Sequence, residues 1–253
     1  VLRWLLIFLA LSFHAAAQTI GDEGAGYTYP ETGGSATFCS PVCTAASVTW
    51  QVPVSPTYDG VGSQGQIFQW IGISGSTTAG NSCPGSSCLG QFGTYTIVSS
   101  GGSVSNAAFW ELFCTNSPSA PCNNVQTIGG FTVNSGDIVT ATMTCMASCT
   151  ADSASQKWAV SLIDHTSGST WTNSGTQFTW PLGLGQVYYA LELVSAGAPN
   201  FGTVAYSNLS VTQNGVAGPP AWALLKYSAN YARQGSGANR QWGWPSPPIG
   251  PNG

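Results

Sequence analysis

The sequence predicts an all-β fold in which two antiparallel sheets pack face to face as a sandwich. Three observations lead there. Short runs rich in Val, Ile, Thr, Tyr, Phe and Trp recur along the chain. Gly, Ser, Asn and Pro bound these runs roughly every ten to fifteen residues. No segment sustains a 3.6-residue apolar period with helix caps, and a chain of many short strands with such punctuation closes as a sandwich.

Taken in order, residues 1–17 read as a secretory signal. Arg3 precedes the apolar run WLLIFLALSF, and AAA at 15–17 offers a small-residue cleavage site before Gln18. Ten apolar residues fall short of the ~20 that a helix needs to span a bilayer; if retained, the stretch would be an N-terminal anchor. An N-terminal segment, 18–34, leads into the sandwich, 35–212. Its strands read as ASVTWQV, QIFQWIGI, GTYTIVS, AAFWELF, DIVTATMTC, KWAVSLID, QFTWPL, VYYALELV and FGTVAYSNLSV. From 213 to 253 the chain becomes a tail rich in Pro, Gly, Trp and Tyr, expected to pack aromatics on the body or to serve as a docking segment.

Only 6% of the 253 residues are charged, against about 25% in an ordinary soluble protein. Without Arg3 the chain carries four basic and nine acidic residues, a net charge of −5. Three of those basic residues, Lys226, Arg233 and Arg240, lie in the tail, which leaves the body with nine acids against Lys157. This balance implies no nucleic-acid partner, and no segment after the signal is apolar enough to span a membrane.

Eight cysteines in a secreted chain imply disulfides. They stand as CSPVC (39, 43), CPGSSC (83, 88), CTNSPSAPC (114, 122) and CMASC (145, 149). The spacing favours the local pairs Cys39–Cys43, Cys83–Cys88, Cys114–Cys122 and Cys145–Cys149, each clipping a turn. A zinc site is the rival reading. It lacks nearby imidazoles, since the histidines are His14 and His165, so no metal is expected.

The residue that points to chemistry is Glu111 in AAFWELF. An isolated buried charge costs several kcal/mol, so it shifts its pKa or finds a partner. Alternation places it on one strand face with Phe109 and Phe113, while Trp110 and Leu112 point the other way. Glu192 in YYALELV has the same apolar setting. Two such carboxylates suit glycoside hydrolysis; one suits water activation beside a neutral partner; either could be a satisfied structural carboxylate.

Residues from about 46 to 211 resemble the glutamic peptidases, or eqolisins. That family has a WVGIDG-type strand, an LQTG turn and strand, a WYEWYP-type strand and a late FGSVTFTNA-type strand. Here QWIGISG (69–75), LGQFGTY (89–95), AFWELF (108–113) and FGTVAYSN (201–208) follow in the same order. GDIVTATMT and LIDHTSGSTWT resemble the intervening strand and the Asn-Leu-Thr-Thr-Gly-type hairpin. The resemblance implies a concanavalin A-like jelly roll and a secreted, acid-acting endopeptidase without a cofactor. By position, Gln91 and Glu111 are its catalytic pair. Trp70 would line the substrate cleft. Ser74, standing where the family has Asp, and Trp110, standing where it has Tyr, join Trp70 as expected substrate-binding residues. Glu192 is expected as a supporting carboxylate. The implied partner is a polypeptide substrate, the implied state a monomer free of the membrane once the signal is removed.

Two other functions remain open on residue types alone. One is a sandwich glycoside hydrolase using Glu111 and Glu192. The other is a non-catalytic sandwich that binds glycans or forms an extracellular layer. Only the peptidase requires Gln91.

Overall fold

Alternation along each strand decides which side chains meet. In a computed structural model, residues 24–29, 39, 42–58, 64–76, 87–114, 122, 124–150, 153–182, 184–193, 201–213, 215–218, 223–224, 232–236 and 239–244 are described. In chain order the strands are β1 (Gly24–Tyr29), β2 (Cys43–Gln51), β3 (Gln64–Ser76), β4 (Ser87–Ser99), β5 (Val104–Cys114), β6 (Gln126–Thr127), β7 (Ile138–Ala147) and β8 (Lys157–Asp164). They continue as β9 (Thr170–Thr172), β10 (Phe178–Thr179), β11 (Gln186–Leu193), β12 (Gly202–Gln213), β13 (Val216–Gly218), β14 (Ala223–Leu224), β15 (Ala232–Ser236) and β16 (Asn239–Trp244).

These form two antiparallel sheets. One runs β14-β1-β11-β3-β4-β5-β6; the other runs β10-β8-β7-β2-β12-β16-β15, with β13 added to β12 and β9 to β8. Between them lies the main core. It takes Val48 and Trp50 from β2, Ile67, Ile71 and Ile73 from β3, Phe92 from β4, Trp158, Val160 and Leu162 from β8, and Tyr189 from β11. Most core-facing positions of these strands are apolar, with Gln69, Thr94 and Thr96 as buried polar exceptions, which is why both sheets can commit one face to the same interior. Buried aromatic polar atoms find partners across the gap: Trp50 Nε1 donates to Thr94 Oγ1 at 2.9 Å, and the Tyr189 hydroxyl donates to the Ser210 carbonyl. Each bond joins one sheet to the other.

Disulfides join Cys39 to Cys43, Cys114 to Cys122 and Cys145 to Cys149. Cys88 is also disulfide-bonded; its expected partner, Cys83, lies outside the described residues. No cysteine is free among the described residues.

The segment read as a tail beyond the sandwich supplies strands to it. β14 pairs with β1, and β16 pairs with β12 from Gly202 opposite Trp244 to Tyr206 opposite Arg240. The physical reason is that β12 has one edge taken by β2 and would otherwise leave its other ladder open along that stretch. The signal segment, 1–17, lies outside the described residues.

Candidate active site

The outward face of the seven-stranded sheet carries a second apolar cluster, separate from the core. Phe68, Trp70, Leu89, Phe109 and Tyr188 are buried there, with Tyr95, Phe113 and Val125 packed against them. The aromatic rings meet in a chain: Phe68 touches Phe109 edge-on at 5.0 Å and Tyr95 at 5.4 Å, and Trp70 lies 6.2 Å from Tyr188. Gln91 and Glu111 sit within this cluster.

Strand register brings those two together. Gln91 of β4 stands directly opposite Glu111 of β5. Neighbouring strands lie about 4.8 Å apart, so directly opposed side chains on one face are in contact range. The Gln91 Nε2 donates to Glu111 Oε2 at 2.7 Å. Both residues are buried, Gln91 at 0% and Glu111 at 2% exposure. A hydrogen bond of this length, in surroundings of low dielectric, is the kind of interaction that lets two polar side chains remain inside.

The same row continues through Gly72 to Tyr188: Gly72 of β3 lies opposite Gln91 on one side and opposite Tyr188 of β11 on the other. A Cβ at Gly72 would sit 2.7 Å from Leu89 Cδ1, 2.9 Å from the Gly90 carbonyl oxygen and 3.1 Å from Trp70 Cζ3. Glycine there lets Leu89 and Trp70 close over the strand beside Gln91. The Tyr188 hydroxyl donates to Gln186 Oε1 at 2.5 Å, and burial pushes its pKa up to about 12. It is therefore a neutral donor throughout the acid and neutral range.

The other sequence-picked residues distribute as follows. Trp70 borders the pair, two residues along β3 from Gly72 and on the same face, opposite Gly93. Ser74 is buried at 7% exposure at the end of the same strand. Trp110 is not brought to the pair. It packs against the main core with Phe178 at 4.6 Å and Trp180 at 6.1 Å, because it alternates with Glu111. Glu192 lies opposite Phe68 of β3 and Gly24 of β1; its side chain lies outside the described atoms. Tyr188 and Gly72 were missed. A Gly two residues beyond a Trp in a strand was the available signal for Gly72, since it marks a close approach. Among the described residues no group of three His, Cys, Asp or Glu could hold a metal ion.

The family model described as the Peptidase A4 family matches residues 31–229. No curated protein matches. Among solved structures, scytalido-glutamic peptidase with a transition-state analog inhibitor superposes with a TM-score of 0.61 at 16% identity, covering 89% of this chain and 100% of that one. Alginate lyase Aly36B gives a TM-score of 0.35 at 10% identity over 68% of this chain and 70% of its own. Alginate lyase vAL-1 from Chlorella virus gives 0.25 at 8% identity over 68% and 84%. The first likeness bears on the fold; the two lyase scores carry no weight.

Proposed function

This chain belongs to the Peptidase A4 family, and on that premise we propose that it is a secreted, acid-acting glutamic endopeptidase whose catalytic pair is Gln91 and Glu111. The observation that carries the assignment is the buried 2.7 Å bond between them at directly opposed positions of β4 and β5.

The chemistry follows from the two groups. An ionised Glu111 takes a proton from a water molecule as that water attacks a peptide carbonyl. The carbonyl oxygen becomes an oxyanion, and the Gln91 amide donates to it. The proton held by Glu111 then passes to the leaving amine as the C–N bond breaks, which restores the carboxylate. Substrate reaches the pair only when side chains over it move, since neither residue is more than 2% exposed. Trp70 and Tyr188, which pack in the same apolar cluster at 6.2 Å from one another, are our candidates for that movement.

Strand order speaks against a glycosidase pair of Glu111 and Glu192. β5 and β11 are separated by β4 and β3, three strand spacings or about 14 Å. Glu192 is also four residues along β11 from Tyr188, the residue in Glu111's row, roughly 13 Å further. A glycosidase needs its carboxyl groups about 5–9.5 Å apart.

The test is cleavage of an unfolded protein at about pH 2–5 by wild type and three variants. Glu111→Gln is expected to be inactive but folded. Gln91→Ala is expected to lose about 10²–10³-fold in rate, as removal of an oxyanion donor does elsewhere. Glu192→Gln is expected to be milder. An inactive Glu192→Gln beside an active Glu111→Gln would move the base to Glu192 and leave Glu111 as the residue that holds Gln91. An inert wild type would make the sealed pair structural, which is the non-catalytic reading.

A further inference from the structure

The Gln91–Glu111 pair lies on the outward face of one sheet. The outward face of the other is interrupted by a β-bulge in β12. Ser207 lies opposite Thr49 of β2 and Ser210 opposite Ser47, so three steps along β12 answer to two along β2 and one residue is extra. Asn208 stands in this bulge with a φ of +53°, a left-handed conformation that Asn adopts more readily than most side chains. Its neighbours are drawn inward. Tyr206 and Leu209 are buried in the main core, at 1% and 3% exposure, while Asn208 is exposed.

Asn208, Leu209 and Ser210 spell Asn-Leu-Ser, the one Asn-X-Ser/Thr sequence in the chain. Such a sequence is an acceptor for N-linked oligosaccharide when the chain is secreted and the amide reaches the surface. A three-residue motif is common, so the weight falls on how the fold treats each residue. Leu209 is committed to the core. The Ser210 hydroxyl is bonded to the Ser47 hydroxyl at 2.8 Å. Asn208 alone is left outside. Its Nδ2 donates to Thr49 Oγ1 at 3.4 Å, longer than an ordinary hydrogen bond. Glycosylation replaces one of the two N–H bonds of that amide and leaves the other to face Thr49. An attached sugar therefore displaces no buried atom and strands no buried donor. The compartment agrees with this. Disulfides at Cys39–Cys43, Cys114–Cys122 and Cys145–Cys149 place the chain's folding in an oxidising setting such as the secretory lumen.

We propose that Asn208 is a glycosylation site, carrying an N-linked oligosaccharide on the outward face of the nine-stranded sheet. The donor is a lipid-pyrophosphate-linked oligosaccharide of the secretory membrane. The Asn208 Nδ2 forms a bond to the anomeric carbon of its first N-acetylglucosamine. The bond from that carbon to the pyrophosphate oxygen breaks, the lipid pyrophosphate leaves with the electron pair, and the amide gives up one proton. Transfer precedes pairing of β12 with β2, because Leu209 and Ser210 are both engaged once the sheet has formed. The finished glycan stands over the uncharged row Ser47, Thr49, Thr140 and Thr142, on the opposite side of the sandwich from Gln91 and Glu111. The proposal needs passage through a secretory compartment and is independent of the catalytic reading.

The test is to express the full chain in yeast and to measure intact mass and the peptide containing Asn208, in medium and cells, before and after endoglycosidase H. Wild type is expected to carry high-mannose sugar on most molecules, trimmed by the enzyme to one N-acetylglucosamine at Asn208. Asn208→Asp, which also tolerates a left-handed backbone, and Ser210→Ala are expected to lose the sugar altogether. Ser210→Thr, which keeps both the hydroxyl and the acceptor sequence, is expected to retain it. A wild type of bare polypeptide mass, or sugar that survives Asn208→Asp and Ser210→Ala, would overturn the proposal. The placement is read separately. The enzyme is expected to trim the folded protein as completely as the denatured one, since Asn208 is exposed. Sugar that is released only after denaturation would put it in a covered position and overturn the assigned face.

Discussion

Gln156 satisfies four hydrogen bonds with one side chain that is 0% exposed. Its Nε2 donates to the Thr150 and Leu182 carbonyls at 2.8 and 2.6 Å. Its Oε1 accepts from Trp158 Nε1 at 3.1 Å and from Leu182 N at 3.0 Å. Gln156→Leu fills a similar volume but strands buried donors and acceptors. A loss of about 3–5 kcal/mol is expected, read by urea unfolding. In the sequence this residue sat in a polar turn before KWAVSLID and nothing marked it, because side-chain satisfaction depends on which backbone arrives from afar. The buried tyrosines make a second residue-scale prediction. Burial raises Tyr188 to about 12 and puts Tyr189 and Tyr206 well above their ordinary value. Groups raised on folding favour the folded state below their unfolded value, near 10, and lose that contribution as pH climbs towards the folded value. At pH 11 phenolate absorbance should therefore report about two to three fewer ionised tyrosines from these three positions in the native chain than in the unfolded one.

At the scale of elements, the reading of β8 as KWAVSLID matches its observed bounds, Lys157–Asp164. QFTWPL shrinks to the two-residue β10, since Trp180 and Leu182 turn into the core instead. β4 departs most. GTYTIVS was expected from 93, with a turn before it, yet the strand begins at Ser87. Gly90 and Gly93 signal turns by composition. In the fold they signal close approach: a Cβ on Gly90 would lie 2.5 Å from Trp180, and one on Gly93 would lie 2.0 Å from the Gln69 carbonyl oxygen. That hidden continuation puts Gln91 in mid-strand, opposite Glu111. The Gln/Glu pairing was thus legible from the resemblance of LGQFG and AFWELF, whereas periodicity alone placed Glu111 on a face and gave it no partner. Two substitutions separate fold from site. Gly93→Ala drives its methyl into backbone, at Gln69 and at Trp70 Cα, and is expected to lower the melting temperature sharply. Gly72→Ala meets backbone less severely, with the Gly90 carbonyl oxygen at 2.9 Å, and presses mainly on Leu89 and Trp70 beside Gln91. It is expected to lower the melting temperature less than Gly93→Ala and, if Gln91 acts as proposed, to lower kcat by ten-fold or more, because a displacement of about 1 Å in an active site can cost up to 10²-fold.

For the whole molecule, the two-sheet sandwich was readable because alternation survives in the strands that face the core. The outermost strands were not readable, since Gly, Pro and aromatic residues in 213–253 blur alternation and edge strands bury little. Their placement changes what truncation should do. A sandwich complete at residue 212 would lose nothing with its tail. In the observed topology β16 covers β12 from Gly202 to Tyr206, and β14 extends the other sheet through β1. Ending the chain at Gly218 removes both and leaves the β12 ladder open between those residues. The members of the main core run from Cys39 to Val211 and lie before the cut, so the shortened chain is expected to fold. It should melt several degrees lower, for loss of edge pairing, and self-associate, because an open edge pairs with a second copy. The tail also carries three of the basic residues while the body holds all nine acids, so the cut makes the body more acidic. Exposed pairs contribute only about 0–1 kcal/mol each, and high salt should therefore not restore the lost stability. Melting and sedimentation of the full and shortened chains, in low and high salt, decide the matter. A shortened chain that melts like the full one and stays monomeric would make the tail strands dispensable decoration. One whose deficit disappears in salt would make their role electrostatic rather than a matter of strand pairing.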